Sequence, residues 1–147
     1  MRIRRLLEGD EDAACRVVEE LKFTMDEIAG VSVGPACMRV FLSDDRNYLI
    51  AAYADETPIG FLLGYQLARV DGPASMMFLY EMGVHEQYRR RGIGRALVEE
   101  LKRLAKENGC IKMFVGTNTS NEPAMALYRS AGGVRAASDE AEFEWNW

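Results

Sequence analysis

The run Arg89-Arg90-Arg91-Gly92-Ile93-Gly94 stands between an apolar stretch, Met76 to Val84, and an amphipathic one that begins near Arg95. A strand feeding a glycine-rich turn and then a helix commits this region to an α/β arrangement. It also suits a diphosphate. Gly92 and Gly94 lack the Cβ atoms that would hold a ligand off the main chain. The first helical turn adds unpaired N–H groups and the positive end of the helix dipole, so anions are favoured there. Arg89, Arg90, Arg91 and Arg95 attract phosphate and can reach it with their side chains. A tight turn with a solvated basic face accounts for the same residues without a ligand.

Two phosphate motifs do not fit. No Gly-Lys-Ser/Thr follows, as a Walker A loop requires. The third glycine of a dinucleotide fingerprint is missing. Instead, Glu81-Met-Gly-Val-His-Glu-Gln-Tyr-Arg-Arg-Arg-Gly-Ile-Gly-Arg-Ala-Leu97 resembles the acetyl-CoA signature of the GNAT N-acetyltransferases, whose core is Arg/Gln-x-x-Gly-x-Gly/Ala. A second element of that family pattern, Asn-x-x-Ala-x-x-Leu-Tyr, stands downstream as Asn121-Glu-Pro-Ala124-Met-Ala-Leu127-Tyr128, ahead of Gly132. The order of the surrounding elements extends the resemblance over nearly the whole chain.

Those elements follow from periodicity and breakers. Ile3 to Leu6 reads as an edge strand, and Asp10 as the cap of a helix through about Phe23 with Ala14, Val17, Val18 and Leu21 on its apolar face. Asp26 to Pro35 reads as a loop before a short helix at 36–42. Strands follow at Tyr48–Tyr53, Ile59–Ala68 and Met76–Val84, joined by turns at 55–58 and 71–73. The spacing predicts a helix over Arg95–Asn108 ended by Gly109, a strand at Lys112–Gly116, a helix at Glu122–Ala131 capped by Asn121, and a closing hairpin of strands at Phe143–Trp147. The fold class is therefore α/β, with a mixed, mostly antiparallel central sheet flanked by helices. It is one domain over residues 1–147. The resemblance adds that two central strands splay apart.

Composition narrows the setting. No stretch approaches a membrane span, and acidic Glu8 to Asp12 follow the N-terminus where a signal core would be apolar, so a cytoplasmic protein with no membrane partner is expected. Three scattered cysteines and one histidine exclude a disulfide scaffold and a zinc site, so no metal is expected. Residues 85–106 carry seven basic groups against three acidic ones, a local +4 in a chain of net −5. The remaining −9 repels polyanions, and nucleic acid is not an expected partner.

The resemblance assigns roles. The cofactor is acetyl-CoA. Backbone amides of Arg90, Arg91, Gly92, Gly94 and Arg95 hold its pyrophosphate, with Arg89 beside them, and Asn121 matches the family residue that contacts the pantetheine arm. N–H groups of Met82 or Val84 polarise the thioester carbonyl. Tyr128 is the proton donor to the departing thiolate; its spacing alone favours a core aromatic on an amphipathic helix, and the motif reverses that preference. Glu81 is the candidate base. It interrupts an apolar strand, where an ionised carboxylate is costly without a role, and burial would raise its pKa toward working pH. A solvated strand face is the alternative for Glu81, and His85 is the rival base.

The last strand alternates, with Glu142, Glu144 and Asn146 on one face and Phe143, Trp145 and Trp147 on the other. With Asp26 and Glu27, the two glutamates form a candidate acidic site for a cationic small-molecule amine; a solvated edge strand is the other reading. Tyr80-Glu81, the Glu-Pro-Ala-Met-Ala-Leu-Tyr run and Phe143-Glu144 together resemble the small aminoglycoside 3-N-acetyltransferases, although Glu81 stands where that group usually has Asp. The expected function is acetyl transfer to an aminoglycoside amine, an antibiotic-resistance activity. A polyamine, another small amine or a protein amino group is the alternative within the same chemistry, and a non-catalytic acyl-CoA sensor is the alternative of another class. A homodimer is left open.

Overall fold

The computed structural model describes residues 1–21, 33–136 and 143–146. Five strands make one sheet in sequence order: β1 (Arg2–Leu6), β2 (Asn47–Ala54), β3 (Thr57–Ala68), β4 (Ser75–Val84) and β5 (Cys110–Phe114). The first four pair antiparallel and β5 joins β4 in parallel. A parallel pair needs a crossover, and helix α3 (Ile93–Glu107) supplies it.

Helices cover both faces. On one, α3 and α4 (Glu122–Ser130) pack on Tyr48, Ile50, Leu62, Met77 and Leu79. On the other, α1 (Glu11–Leu21) and α2 (Pro35–Ser43) pack on Leu49, Ala51, Tyr53 and Phe61. Residues 48 to 53 are therefore buried throughout, and β2 shows no polar alternation. Close packing of α3 depends on missing side chains. A Cβ on Gly60 would lie 3.2 Å from Ile93 Cγ2, and one on Gly64 would lie 3.2 Å from Leu101 Cδ1.

Several boundaries differ from expectation. β5 begins at Cys110, directly after Gly109 turns the chain at φ +76°, and ends at Phe114, two residues before the expected Gly116. Asp10 does stand at the cap position, since its carbonyl accepts from Ala14 N–H at 2.9 Å. Its carboxylate turns back, however, to accept from Leu7 N–H at 2.9 Å and to pair with Arg4 at 3.0 Å. Residues 143–146 form no strand, and Phe143 and Trp145, which alternation sets on the apolar face that a strand there would turn to the core, are exposed. Alternation yields a buried face only where a neighbouring strand or layer closes over it. The rest of the expected hairpin, and the end of the first helix at 22–23, lie outside the described residues.

Candidate active site

The site begins with one extra residue on β4. Leu63 pairs with Glu81 while the next residue, Gly64, pairs with Leu79, so Tyr80 has no counterpart on β3. Such a bulge reverses the side-chain parity of everything after it. Met77 and Leu79 point to the α3 face; past the bulge, Met82 and Val84 take that face. Glu81 and Gly83 share instead the α1/α2 face of their partners Leu63 and Phe61. Uninterrupted alternation would have driven Glu81 into the apolar core beneath α3.

Beyond the bulge the sheet opens. Pairing between β4 and β5 runs from Ser75 and Cys110 to Phe78 and Phe114 and stops there, as the expected splay requires. His85 N–H donates to Ile59 C=O on β3 at 2.8 Å. Main-chain groups alternate in direction along a strand, so Val84 and Met82 present theirs to the gap on the β5 side. Arg89 Nε donates to the Val84 carbonyl at 3.2 Å, in keeping with that orientation.

The glycine turn closes the same end. Gly92 is the N-cap of α3 at φ +78°, Arg90 is left-handed at φ +60°, and no side chain caps the helix. Left-handed positions alternating with right-handed ones turn consecutive N–H groups into a concave anion cradle. The first helical bond runs from Ala96 N–H to Gly92 C=O, which leaves the N–H groups of Ile93, Gly94 and Arg95 without an intrahelical acceptor. Arg90 and Arg95 are exposed and make no ion pair with a described residue, while the Arg91 guanidinium lies 5.3 Å over the Tyr88 ring.

The two glycines differ in purpose. A Cβ on Gly92 would meet nothing within 4 Å, so its backbone angle is what calls for glycine. A Cβ on Gly94 would lie 3.3 Å from Leu127 Cδ2 and 3.5 Å from Met82 Cε. Its missing side chain makes room for α4 and β4, not for a ligand, although its N–H still belongs to the cradle.

Glu81 is half-buried, yet its Oε2 is covered and receives no hydrogen bond from a described residue, and burial raises its pKa above the ordinary carboxylate range. Tyr128 packs half-buried on the α3 core, and burial pushes its phenol up, so it stays protonated at neutral pH. Its hydroxyl makes no hydrogen bond among the described residues. Asn121 Oδ1 accepts from Ala124 N–H at 3.2 Å, so it caps α4 as expected. His85 Nδ1 accepts from Gln87 N–H at 3.3 Å and caps a single 3-10 turn, Glu86–Tyr88, which is a structural duty that the base role does not need. Asp26, Glu27 and Glu142 lie outside the described residues. Glu144 is exposed on a segment that forms no strand.

The model of the acetyltransferase (GNAT) family matches residues 13–132, from α1 through the end of α4. The chain belongs to that family. Among relatives of this GNAT protein, N-alpha-acetyltransferase RimI of Mycobacterium tuberculosis is 33% identical over 101 residues, which is 69% of this chain and 61% of that one. This chain thus spans about three fifths of that relative's length. An aminoglycoside acetyltransferase from an uncultured soil metagenomic sample superimposes with a TM-score of 0.83 at 28% identity, covering 99% of this chain and 98% of the other. A second from such a sample, solved with trehalose, has a TM-score of 0.86 at 22% identity over 99% and 95% of the two chains. An aminoglycoside N-acetyltransferase in complex with CoA has a TM-score of 0.73 at 19% identity over 99% and 100%. These last two show a shared fold.

The family's acetyl donor is acetyl-CoA, and the residues of this GNAT protein fit it. A left-handed turn whose N–H groups lack an intrahelical acceptor, with two arginines that pair with no described residue, suits a pyrophosphate. The cleft between β4 and β5 bears main-chain groups of Met82 and Val84 that no strand has claimed. Among the described residues no helix is long and apolar enough to cross a membrane, and no metal-ligand cluster occurs. Sequence reasoning used Tyr80 only as part of a motif and passed over Tyr65; the two rings meet at 5.6 Å, and Glu81 follows Tyr80 on β4. Only the bulge brings Tyr80 and Glu81, adjacent in sequence, onto one face, and periodicity gives no sign of a bulge.

Proposed function

We propose that this protein is an acetyl-CoA-dependent N-acetyltransferase that acetylates a primary amine of an aminoglycoside by direct transfer in a ternary complex. The observation that carries the reading is Glu81: a carboxylate aimed off the core by a bulge, one oxygen covered and without a donor, beside the opening in the sheet. A cationic amine can pair with this carboxylate through its other oxygen. Acetyl-CoA contributes an electrophilic thioester carbonyl and its thiol leaving group.

The protein's own groups do the rest. N–H groups of Arg90 to Arg95 hold the pyrophosphate, Arg89, Arg90, Arg91 and Arg95 surround it with positive charge, and Asn121 lies along the pantetheine arm. Glu81 accepts the proton of the acceptor ammonium and leaves a lone pair free to attack, which an ordinary amine with a pKa near ~10 withholds at neutral pH. Met82 and Val84 N–H groups stabilise the charge that develops on the acyl oxygen, an effect that commonly amounts to about 3 kcal/mol. Tyr128 gives its proton to the departing sulfur as the C–S bond breaks. Asp26, Glu27, Glu142 and Glu144 supply charge for the acceptor's other ammonium groups. The 3-amino position follows from the motif resemblance around Tyr80-Glu81.

A second reading is a protein N-terminal amine as acceptor, favoured by the 33% identity to RimI. CoA release from acetyl-CoA, assayed against aminoglycosides, polyamines and peptides with a free N-terminal alanine, separates the two, and NMR of the product locates the acetyl group. Turnover of aminoglycosides with a kcat/KM at least about tenfold above that of any peptide is expected. Exclusive turnover of peptides overturns the aminoglycoside reading, and CoA binding without release for any amine overturns the enzyme reading altogether.

A further inference from the structure

Five aromatic rings run in a row across the α1/α2 face of the sheet. Phe41 of α2 meets Tyr65 of β3 at 6.3 Å, Tyr65 meets Tyr80 at 5.6 Å, Tyr80 meets Phe78 at 5.5 Å, all edge to face, and Phe78 stacks on Phe114 of β5 at 4.9 Å. Apart from Phe41, none of the five belongs to either apolar core. Tyr80 is 42% exposed, and neither tyrosine hydroxyl has a hydrogen-bond partner among the described residues. A large aromatic left in solvent and held on two sides by other rings is a preformed surface that lacks its complement.

Three features identify the complement. Glu81 follows Tyr80 on β4 and pairs with Leu63, two residues before Tyr65, so the Tyr65–Tyr80 stretch takes a cation. Lys112 Nζ lies 5.6 Å over Phe114, so the far end repels one. An aromatic face next to a carboxylate suits C–H groups polarised by a neighbouring ammonium. Two phenols without a hydrogen-bond partner among the described residues suit hydroxyl or amine substituents at fixed spacing. A saturated ring bearing both ammonium and hydroxyl groups meets all of these demands, whereas a linear polyamine has no ring face to offer.

We propose that Tyr80 and Tyr65 position the acceptor: a saturated amino sugar ring lies on the exposed Tyr80 ring, a substituent reaches the Tyr65 hydroxyl, and the reacting amine falls at Glu81. The inference rests on the aminoglycoside reading. Both are positioning and specificity residues, so their loss acts on acceptor binding and leaves donor binding alone.

Steady-state kinetics with gentamicin as the acceptor test this on Tyr80→Leu, Tyr80→Phe and Tyr65→Phe, each checked for an unchanged thermal midpoint. Tyr80→Leu is expected to raise the gentamicin KM about tenfold or more, the range of a lost ring–cation contact. Its kcat stays within about threefold and its acetyl-CoA KM does not change. Tyr80→Phe retains most of the affinity because the ring remains, and Tyr65→Phe raises KM roughly fivefold through the lost hydroxyl alone. An unchanged gentamicin KM in a folded Tyr80→Leu protein overturns the inference while the function stands. If that variant does not fold, an unchanged KM in Tyr65→Phe overturns it instead. Absence of gentamicin turnover by the unmodified protein overturns the aminoglycoside reading and the occupant of the wall together.

Discussion

A Cβ built on Gly94 lies 3.3 Å from Leu127 Cδ2, so the second residue of α3 and the sixth of α4 are spaced by an absent methyl group. Gly92, two residues earlier, has open space around its own missing Cβ.

The two glycines should therefore fail differently. Gly92→Val forces a branched residue into a left-handed angle, at about 1–2 kcal/mol, and distorts the N–H cradle. CoA affinity by calorimetric titration is expected to collapse with a modest fall in thermal midpoint. Gly94→Val overpacks Leu127 and Met82 as well, costing roughly 1–3 kcal/mol, so its midpoint falls further. Equal midpoints for the two variants would contradict this division.

Glu81→Gln is expected to lower kcat by about 100-fold or more with CoA affinity intact, and to flatten the acidic limb of the pH–rate profile. The stability effect has a defined sign. Burial raises the folded pKa of Glu81 above its unfolded value, so between those values the native state holds more protons and stability falls as pH rises. The Gln variant escapes that loss. Thermal midpoints of the two proteins should diverge in favour of Gln as pH climbs from about 4.5 toward neutrality; parallel curves would mean that Glu81 is solvated.

Tyr128→Phe removes a hydroxyl that bonds to no described residue, so the thermal midpoint should hold. A kcat lower by about 10- to 1000-fold at unchanged CoA affinity is expected for a lost proton donor. Full activity would make Tyr128 a packing residue.

Neutralising Glu142 and Glu144 together to Gln should raise the acceptor KM and leave kcat largely alone. KM of the unmodified protein should also rise with ionic strength, because screening shortens the reach of surface carboxylates. A KM indifferent both to the double substitution and to salt points to an acceptor with a single charge, held at Glu81.

Much of this was legible in advance because local rules dominate where the chemistry is anchored. The turn at Gly92, the cap at Asn121 and the α3 helix each follow from residues within a few positions of one another. Glu81 stood out as a carboxylate in an apolar run, but its direction depends on the register against β3, which neither strand carries in its own pattern. Gly94 was misjudged for a related reason: a missing Cβ looks the same in sequence whether a ligand or a helix fills its place. In the final segment, Phe143 and Trp145 show the limit of alternation, which names two faces without saying whether anything packs on either.

Gly60 and Gly64 hold a further consequence. A Cβ at either would come within 3.2 Å of an α3 side chain, so the seat of α3 on the sheet is set by vacancy. The helix that begins with the anion cradle is thus mounted directly on the strand beside the reacting edge. A methyl at either position would press on Ile93 or Leu101 of α3, and at Gly60 it would also crowd Gly83 O beside Val84 at the open edge of the sheet. The tolerance of this fold to drift is expected to be narrow at these two glycines, where the sheet meets the helix that opens with the anion cradle.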